Sequence, residues 1–193
     1  MNNLIINKNR VVKSVFCIIL ITAISLFQSC DTDIPPTDTE PPTFSFKIKG
    51  EGFERTFTQD DDFENIQLNL TAGAAYEIDY IGVDAGGLKY MSMEFPYGNF
   101  DIIGTLPNDW EDDNNGFKRW FYWNGDSNDP KTGSLISKGT IIAMELSANE
   151  GIGGSFYFDL RDYGGQSGSS NQTVKQLNIY LAQHPTEVRY LSK

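Results

Sequence analysis

From Thr43 to the end of the chain the apolar residues recur with a period of two, and that alternation is the feature that most constrains the fold. Phe44, Phe46 and Ile48 alternate with Ser45, Lys47 and Lys49. Ile66, Leu68 and Leu70 do the same, as do Tyr76, Ile78 and Tyr80. Successive side chains of a strand point to opposite faces, so each run predicts a strand with one buried face. Leu88–Phe95, Phe117–Trp123, Thr140–Leu146, Phe156–Leu160, Leu177–Leu181 and Val188–Leu191 extend the series. Between them stand turn formers: Ala72-Gly73, Gly86-Gly87, Asn114-Asn115-Gly116, Asn124-Gly125, Gly151–Gly154 and Gly164–Ser170. Short alternating runs bounded by such clusters predict an all-β fold, an antiparallel sandwich or barrel. No helical stripe and no fixed-period repeat interrupts the pattern.

Composition narrows function more than fold. The 193 residues hold 15 Lys+Arg against 26 Asp+Glu, a net charge of -11. Phosphate contacts need a basic surface, so a nucleic-acid partner is disfavoured. One His and two Cys leave little for a zinc site of His and Cys ligands.

The first residues read as an address. Lys8, Arg10 and Lys13 precede the apolar run Val15–Phe27, and no acid interrupts them. That run has the length of a signal-peptide core and falls short of the roughly 20 residues of a spanning helix. Ser29-Cys30 follows at once. A basic start, a short apolar run and a small residue before Cys resemble a bacterial lipoprotein signal of the Bacteroidetes type. Leu26-Phe27-Gln28-Ser29 stands at the lipobox, with Phe27 where Leu is usual and one place early. The resemblance implies removal of residues 1–29, a lipid on Cys30, and an outer-membrane, surface-facing location in the cell envelope. Asp31 and Asp33 stand where the export signals of that group place acids. A plain secretory peptide cut near Ala23–Ser25 would leave Cys30 as a free thiol. Loss of residues 1–29 removes Cys17 and three basic residues. With Cys30 lipidated the domain folds without a disulfide.

Residues 30–42 contain Asp31-Thr-Asp-Ile-Pro-Pro-Thr-Asp-Thr-Glu-Pro-Pro42. Such a stretch buries little apolar area and predicts an extended spacer. At ~3.1 Å per residue it would reach on the order of 35 Å. The expected organisation is thus a signal (1–29), a lipidated Cys and tether (30–42) and one β-sandwich domain (43–193).

A second resemblance lies across residues 38–90. Asp38-Thr-Glu-Pro-Pro-Thr43 leads into a strand, Tyr76-Glu-Ile-Asp-Tyr80 makes another, and Asp84-Ala-Gly-Gly-Leu-Lys-Tyr90 turns into a third. This is similar to the opening of bacterial immunoglobulin-like domains and implies that form of sandwich. The stretch between Gly50 and Asn65 is longer than their usual first loop.

Chemistry is less legible. His184, the one imidazole, precedes Pro185 between terminal strands, and no Gly-x-Ser-x-Gly motif accompanies it. It reads as a loop residue rather than a catalytic base. A glycoside hydrolase needs two convergent carboxylates; Glu94 and Glu145 are the acids embedded in strands. Gly151–Gly154 and Gly164–Asn171 lack the Gly-Lys-Ser/Thr of a phosphate loop. Calcium takes six to eight oxygens, and acid-rich stretches offer them: Asp60–Asp62 with Glu64; Asp109, Glu111, Asp112 and Asp113; Asp126 with Asp129. Read as an EF-hand loop, Glu111–Gly116 puts Tyr122 at the bidentate Glu, so that motif fails.

Trp110–Pro130 holds all three Trp. Aromatic rings stack on sugar C–H faces, with neighbouring polar side chains taking the hydroxyls. The candidate ligand-binding residues are Trp110, Lys118, Arg119, Trp120, Tyr122 and Trp123. In a strand, Trp120 and Tyr122 point one way and Phe121 and Trp123 the other, and one of those faces is core. The expectation is a non-catalytic glycan-binding or accessory module. The alternative is an assembly lipoprotein docked on an outer-membrane complex; a glycoside hydrolase ranks last.

Overall fold

In a computed structural model, residues 34–103, 109–132 and 135–191 are described. They contain no helix and twelve strands. These are β1 (Thr43–Gly50), β2 (Phe53–Thr58), β3 (Ile66–Thr71), β4 (Ala75–Val83), β5 (Leu88–Pro96) and β6 (Phe100–Ile103). They continue as β7 (Trp110–Asn114), β8 (Lys118–Asn124), β9 (Leu135–Ala143), β10 (Gly151–Asp162), β11 (Gln172–Ala182) and β12 (Glu187–Tyr190). A five-stranded sheet runs β2-β1-β4-β9-β6 and a seven-stranded sheet β12-β3-β11-β10-β5-β8-β7. All neighbours are antiparallel except β3 and β11, which are parallel. The all-β antiparallel sandwich expected from the alternation is the fold. Cys30 and the signal 1–29 lie outside the described residues.

The alternating rings meet between the sheets. Phe158 of β10 has ring centroids 5.1 Å from Phe44, 4.9 Å from Phe46 and 5.3 Å from Tyr80. Phe156 contacts Phe46, Phe95 and Phe100. Phe158 belongs to the seven-stranded sheet, while Phe44, Phe46 and Tyr80 belong to the other. These pairs therefore hold one sheet on the other, as expected of a sandwich core.

The turn Asp84–Gly87 carries the chain from β4 in one sheet to β5 in the other. Strand β5 enters it through a bulge. Its register against β10 shifts between Arg161 and Asp162, so Leu88 pairs with Asp162. A bulge reverses which side chains face the core. Leu88 is accordingly buried, although it shares sequence parity with Tyr90, Ser92 and Glu94 on the outer face.

Two segments read as loop or spacer are ordered parts of the domain. Gly50 to Phe53 closes a two-residue hairpin, with Glu51 and Gly52 both at positive φ (51° and 74°). Primed hairpin turns require that conformation. Much of the stretch between Gly50 and Asn65 is therefore β2 rather than a long first loop.

The packed unit begins at Ile34 and not at Thr43. Residues 34–42 are strapped to the loop after β10. Asp38 N–H donates to Gly164 O (2.9 Å), Gln166 N–H to Pro35 O (3.0 Å), and Ser167 N–H to Pro36 O (3.0 Å). Thr173 Oγ1 donates to Pro42 O (2.6 Å). The expected spacer is thus held along most of its length by backbone acceptors, which composition does not reveal.

Gly165 permits this approach. A Cβ there would lie 2.5 Å from Pro35 O, and its φ is +80°. Gly165→Ala is expected to destabilise the protein by about 1–3 kcal/mol, the usual cost of overpacking. It should also expose residues 34–42 to protease. A shift in the denaturant midpoint together with faster cleavage there checks it.

Candidate functional site

Strands β8, β5, β10 and β11 present an outward face lined with rings and paired ions. Register brings its residues together. Trp120 stands opposite Glu94, Glu94 opposite Tyr157, and Tyr157 opposite Gln176. In the next row Tyr122 is opposite Ser92, Ser92 opposite Asp159, and Asp159 opposite Val174. Beyond it Tyr90 faces Arg161.

Ser92 is small and sits between bulkier neighbours. It forms part of the floor of a groove of about 550 Å³ walled by Tyr90, Glu94, Lys118, Trp120 and Tyr157. Tyr90, Trp120, Tyr122 and Tyr157 are each half-buried.

The polar groups on this face are held in place. Lys118 Nζ lies 2.5 Å from Glu94 Oε1 and 4.7 Å from the Tyr157 ring centroid. Arg161 pairs with Asp159 (2.6 Å) and lies 5.1 Å from the Tyr90 ring centroid. Tyr90 and Tyr122 are stacked at 6.4 Å. Tyr122 donates its hydroxyl to Glu111 Oε2 (2.5 Å). That hydrogen bond, with burial and the charge of Glu111 behind it, raises the phenol to about 12. The hydroxyl therefore stays protonated at neutral pH. Cation–ring and ion-pair contacts restrict these side chains before any ligand arrives.

The structure separates the predicted aromatic and basic residues. Trp120, Tyr122 and Lys118 lie on the outward face. Trp123 and Trp110 do not: they are 4% and 7% exposed and belong to the core. Trp110 opens β7 opposite Trp123 and packs against Tyr80 at 6.5 Å. The Trp123 indole N–H donates to Asp109 Oδ2 (2.9 Å), which satisfies its polar atom at the core margin. Arg119 has the parity of Phe121 and Trp123, lies over the Phe121 ring and pairs with Asp112 (2.5 Å). It is thus turned away from the groove. Tyr90 and Tyr157, absent from the candidate list, join the face through strand pairing. Their signal in the sequence was parity within their own strands.

The acids expected to hold calcium at Asp109, Asp112, Asp113, Asp126 and Asp129 have local partners. Asp109 accepts from Trp123 and Asp112 pairs with Arg119. Asp113 Oδ1 accepts from Asn114 N–H (2.7 Å) and Asp126 Oδ1 from Asn128 N–H (2.8 Å), while Asp129 pairs with Lys131 (2.9 Å). Asp61 pairs with Arg55 (2.9 Å). Among the described residues these acids form no group of three with oxygens close enough to share an ion. Glu94 and Glu145 stand apart, on β5 of one sheet and beyond the end of β9 in the other. His184 is half-buried and stacks on Tyr180 at 5.9 Å.

No protein-family model matches the chain, and neither does any curated protein sequence. Solved structures similar to it include the sixth cohesin of Acetivibrio cellulolyticus scaffoldin B, crystallised with a Cel5 dockerin (9% identity, TM-score 0.37, covering 62% of this chain and 98% of that one). A type II cohesin domain from the cellulosome of the same organism gives 10% identity and a TM-score of 0.32, over 58% of this chain and 94% of that one. A Nocardia farcinica protein with an immunoglobulin-like fold gives 10% and 0.30, over 66% and 99%. Likenesses at these scores say nothing of a ligand, a partner or a reaction.

Proposed function

We propose that this chain is a non-catalytic binding module that takes a neutral polysaccharide on the outward face of its seven-stranded sheet, carried on the bacterial outer membrane by a lipid at Cys30. The observation that carries the reading is the groove itself. Half-buried Trp120 and Tyr157 stand two strands apart, on the order of 10 Å at the ~4.8 Å strand spacing. A polymer lying across the strands would meet both rings, with Ser92 below and Glu94, Lys118 and Asp159 beside it. The aromatic faces supply apolar contact and the ionic side chains supply hydroxyl partners. The net charge of -11 disfavours an acidic glycan.

A binding role fits the acids better than catalysis does. Glu94 and Asp159 are each paired with a cation, and Glu111 with a phenol. A glycosidase needs a protonated acid and a second carboxylate opposed across the bond.

The test is binding of the full chain in detergent to a panel of neutral and acidic polysaccharides. A response confined to neutral ones supports the reading. Retention of acidic polysaccharides alone contradicts it. A protein partner at the β7–β8 turn is the second reading, favoured by Phe117, 84% exposed there. Pull-down from native membranes that depends on Phe117 and not on Trp120 would select it.

The anchor is tested separately. Cys30→Ser is expected to abolish incorporation of labelled palmitate and to move the protein out of the membrane fraction. Membrane retention of that variant after a salt wash would contradict lipidation at this residue.

A further inference from the structure

Where residues 34–42 meet the sandwich, three carboxylates converge from three parts of the chain. Asp38 comes from the strap, Asp84 follows β4 of the five-stranded sheet, and Asp162 ends β10 of the seven-stranded sheet. One oxygen from each lies within 4.8 Å of the others. Among the described residues no Lys or Arg pairs with any of them. Asp84 is 5% exposed and Asp162 fully buried.

Proximity of acids alone would say little, but Asp84 adds an independent observation. The amides of Gly86 and Gly87 bond to its carboxylate, yet its Oδ1 is buried without a hydrogen-bond partner. A buried carboxylate oxygen left unmatched is costly. Burial, with the like charges of Asp162 and Asp38, raises the Asp84 carboxyl to about 6. The other two acids are positioned rather than loose. Asp162 accepts from Asn171 N–H (2.5 Å) and Asn171 Nδ2 (2.7 Å), and Asp38 Oδ1 accepts from Glu40 N–H (3.0 Å). Asn171 Nδ2 also donates to Asp38 O (3.1 Å), which ties strap and site together. Each carboxylate retains lone pairs for a further partner.

We propose that Asp38, Asp84 and Asp162 form a calcium site that fastens the N-terminal strap onto the end of the sandwich. The spacing suits that ion. Ligand distances of about 2.3–2.6 Å let one calcium bridge three oxygens that lie within 4.8 Å of one another. Hard carboxylate oxygens are the donors calcium takes, and water or backbone carbonyls complete its shell. The ion would answer the unmatched oxygen of Asp84 and cancel most of the mutual repulsion. It would link both sheets to the segment leading to Cys30. The site is independent of what the sheet face binds, and none of its three acids is among those read from the sequence as calcium ligands.

The test is calorimetric titration of chelator-treated full chain in detergent with calcium chloride, together with its thermal unfolding and proteolysis. One ion per chain is expected, with a rise of several degrees in Tm and slower cleavage within residues 34–42. Asp84→Asn should weaken calcium binding at least tenfold. In chelator it should melt no lower than wild type, because the amide removes a repelled charge without changing the shape. Asp38→Asn should weaken calcium binding too, and Asp126→Asn should leave it unchanged. Three results would overturn the proposal: no heat and no shift at millimolar calcium; unchanged binding in both Asp84→Asn and Asp38→Asn; or magnesium binding as tightly as calcium.

Discussion

Phe158→Ala is expected to destabilise the domain by about 3–5 kcal/mol, the range for deleting a buried phenyl ring and leaving its cavity. Phe158 is wholly buried and lies against Phe44, Phe46, Phe63 and Tyr80. Those neighbours come from β1, β4 and the loop before β3, so the ring joins the two sheets, and the surroundings relax only partly around the cavity. A domain of this kind has about 5–15 kcal/mol in total, so the variant stands close to unfolding. Chemical denaturation checks this, with Val174→Ala as the control. Val174 is 55% exposed on β11, and its truncation should change stability by no more than about 0.5 kcal/mol.

Trp120→Ala should produce the opposite pattern. Its ring lies half-buried on the outward face, so stability should change little. Binding of a neutral polysaccharide should fall by about 30-fold or more, which corresponds to the ~2 kcal/mol of a hot-spot aromatic. Trp123→Ala should reverse the two effects: its indole is core, and its loss should cost several kcal/mol of stability. Equilibrium binding and unfolding measured on both variants separate the roles. A Trp120→Ala variant that binds as wild type does would remove this residue from the site.

Period-two alternation carried most of the sandwich because burial on one face imposes it. Phe44-x-Phe46-x-Ile48 and Phe156-x-Phe158-x-Leu160 are core residues as read. It failed where a strand has little to bury. Strand β7 is Trp-Glu-Asp-Asp-Asn, with only its first residue buried; acids are poor strand formers but are tolerated at a sheet edge. Strand β2 was hidden behind a two-residue turn that contains Glu51 rather than a second glycine.

The site was half legible for the same reason. Parity separates Trp120 and Tyr122 from Phe121 and Trp123, but it does not say which pair faces the core. Nor does it reveal that Tyr90 and Tyr157 are neighbours of the same groove, since strand order brings β5 and β10 beside β8. The acids after Trp110 give no strand alternation to place its ring; pairing with Trp123 draws it inside. The strap was illegible because it is held mainly through its own backbone carbonyls, which residue type does not reveal. The Asp38, Asp84 and Asp162 cluster was illegible because the three acids lie far apart in sequence.

The most direct measurement is the NMR response of the three indole N–H signals of ¹⁵N-labelled protein as neutral polysaccharides are added. Trp120 lines the groove, while Trp110 and Trp123 lie in the core, so the Trp120 signal should move with ligand and the other two should stay. Movement of the Trp110 or Trp123 signal with Trp120 fixed, or no movement across the panel, would contradict a polysaccharide site on this face.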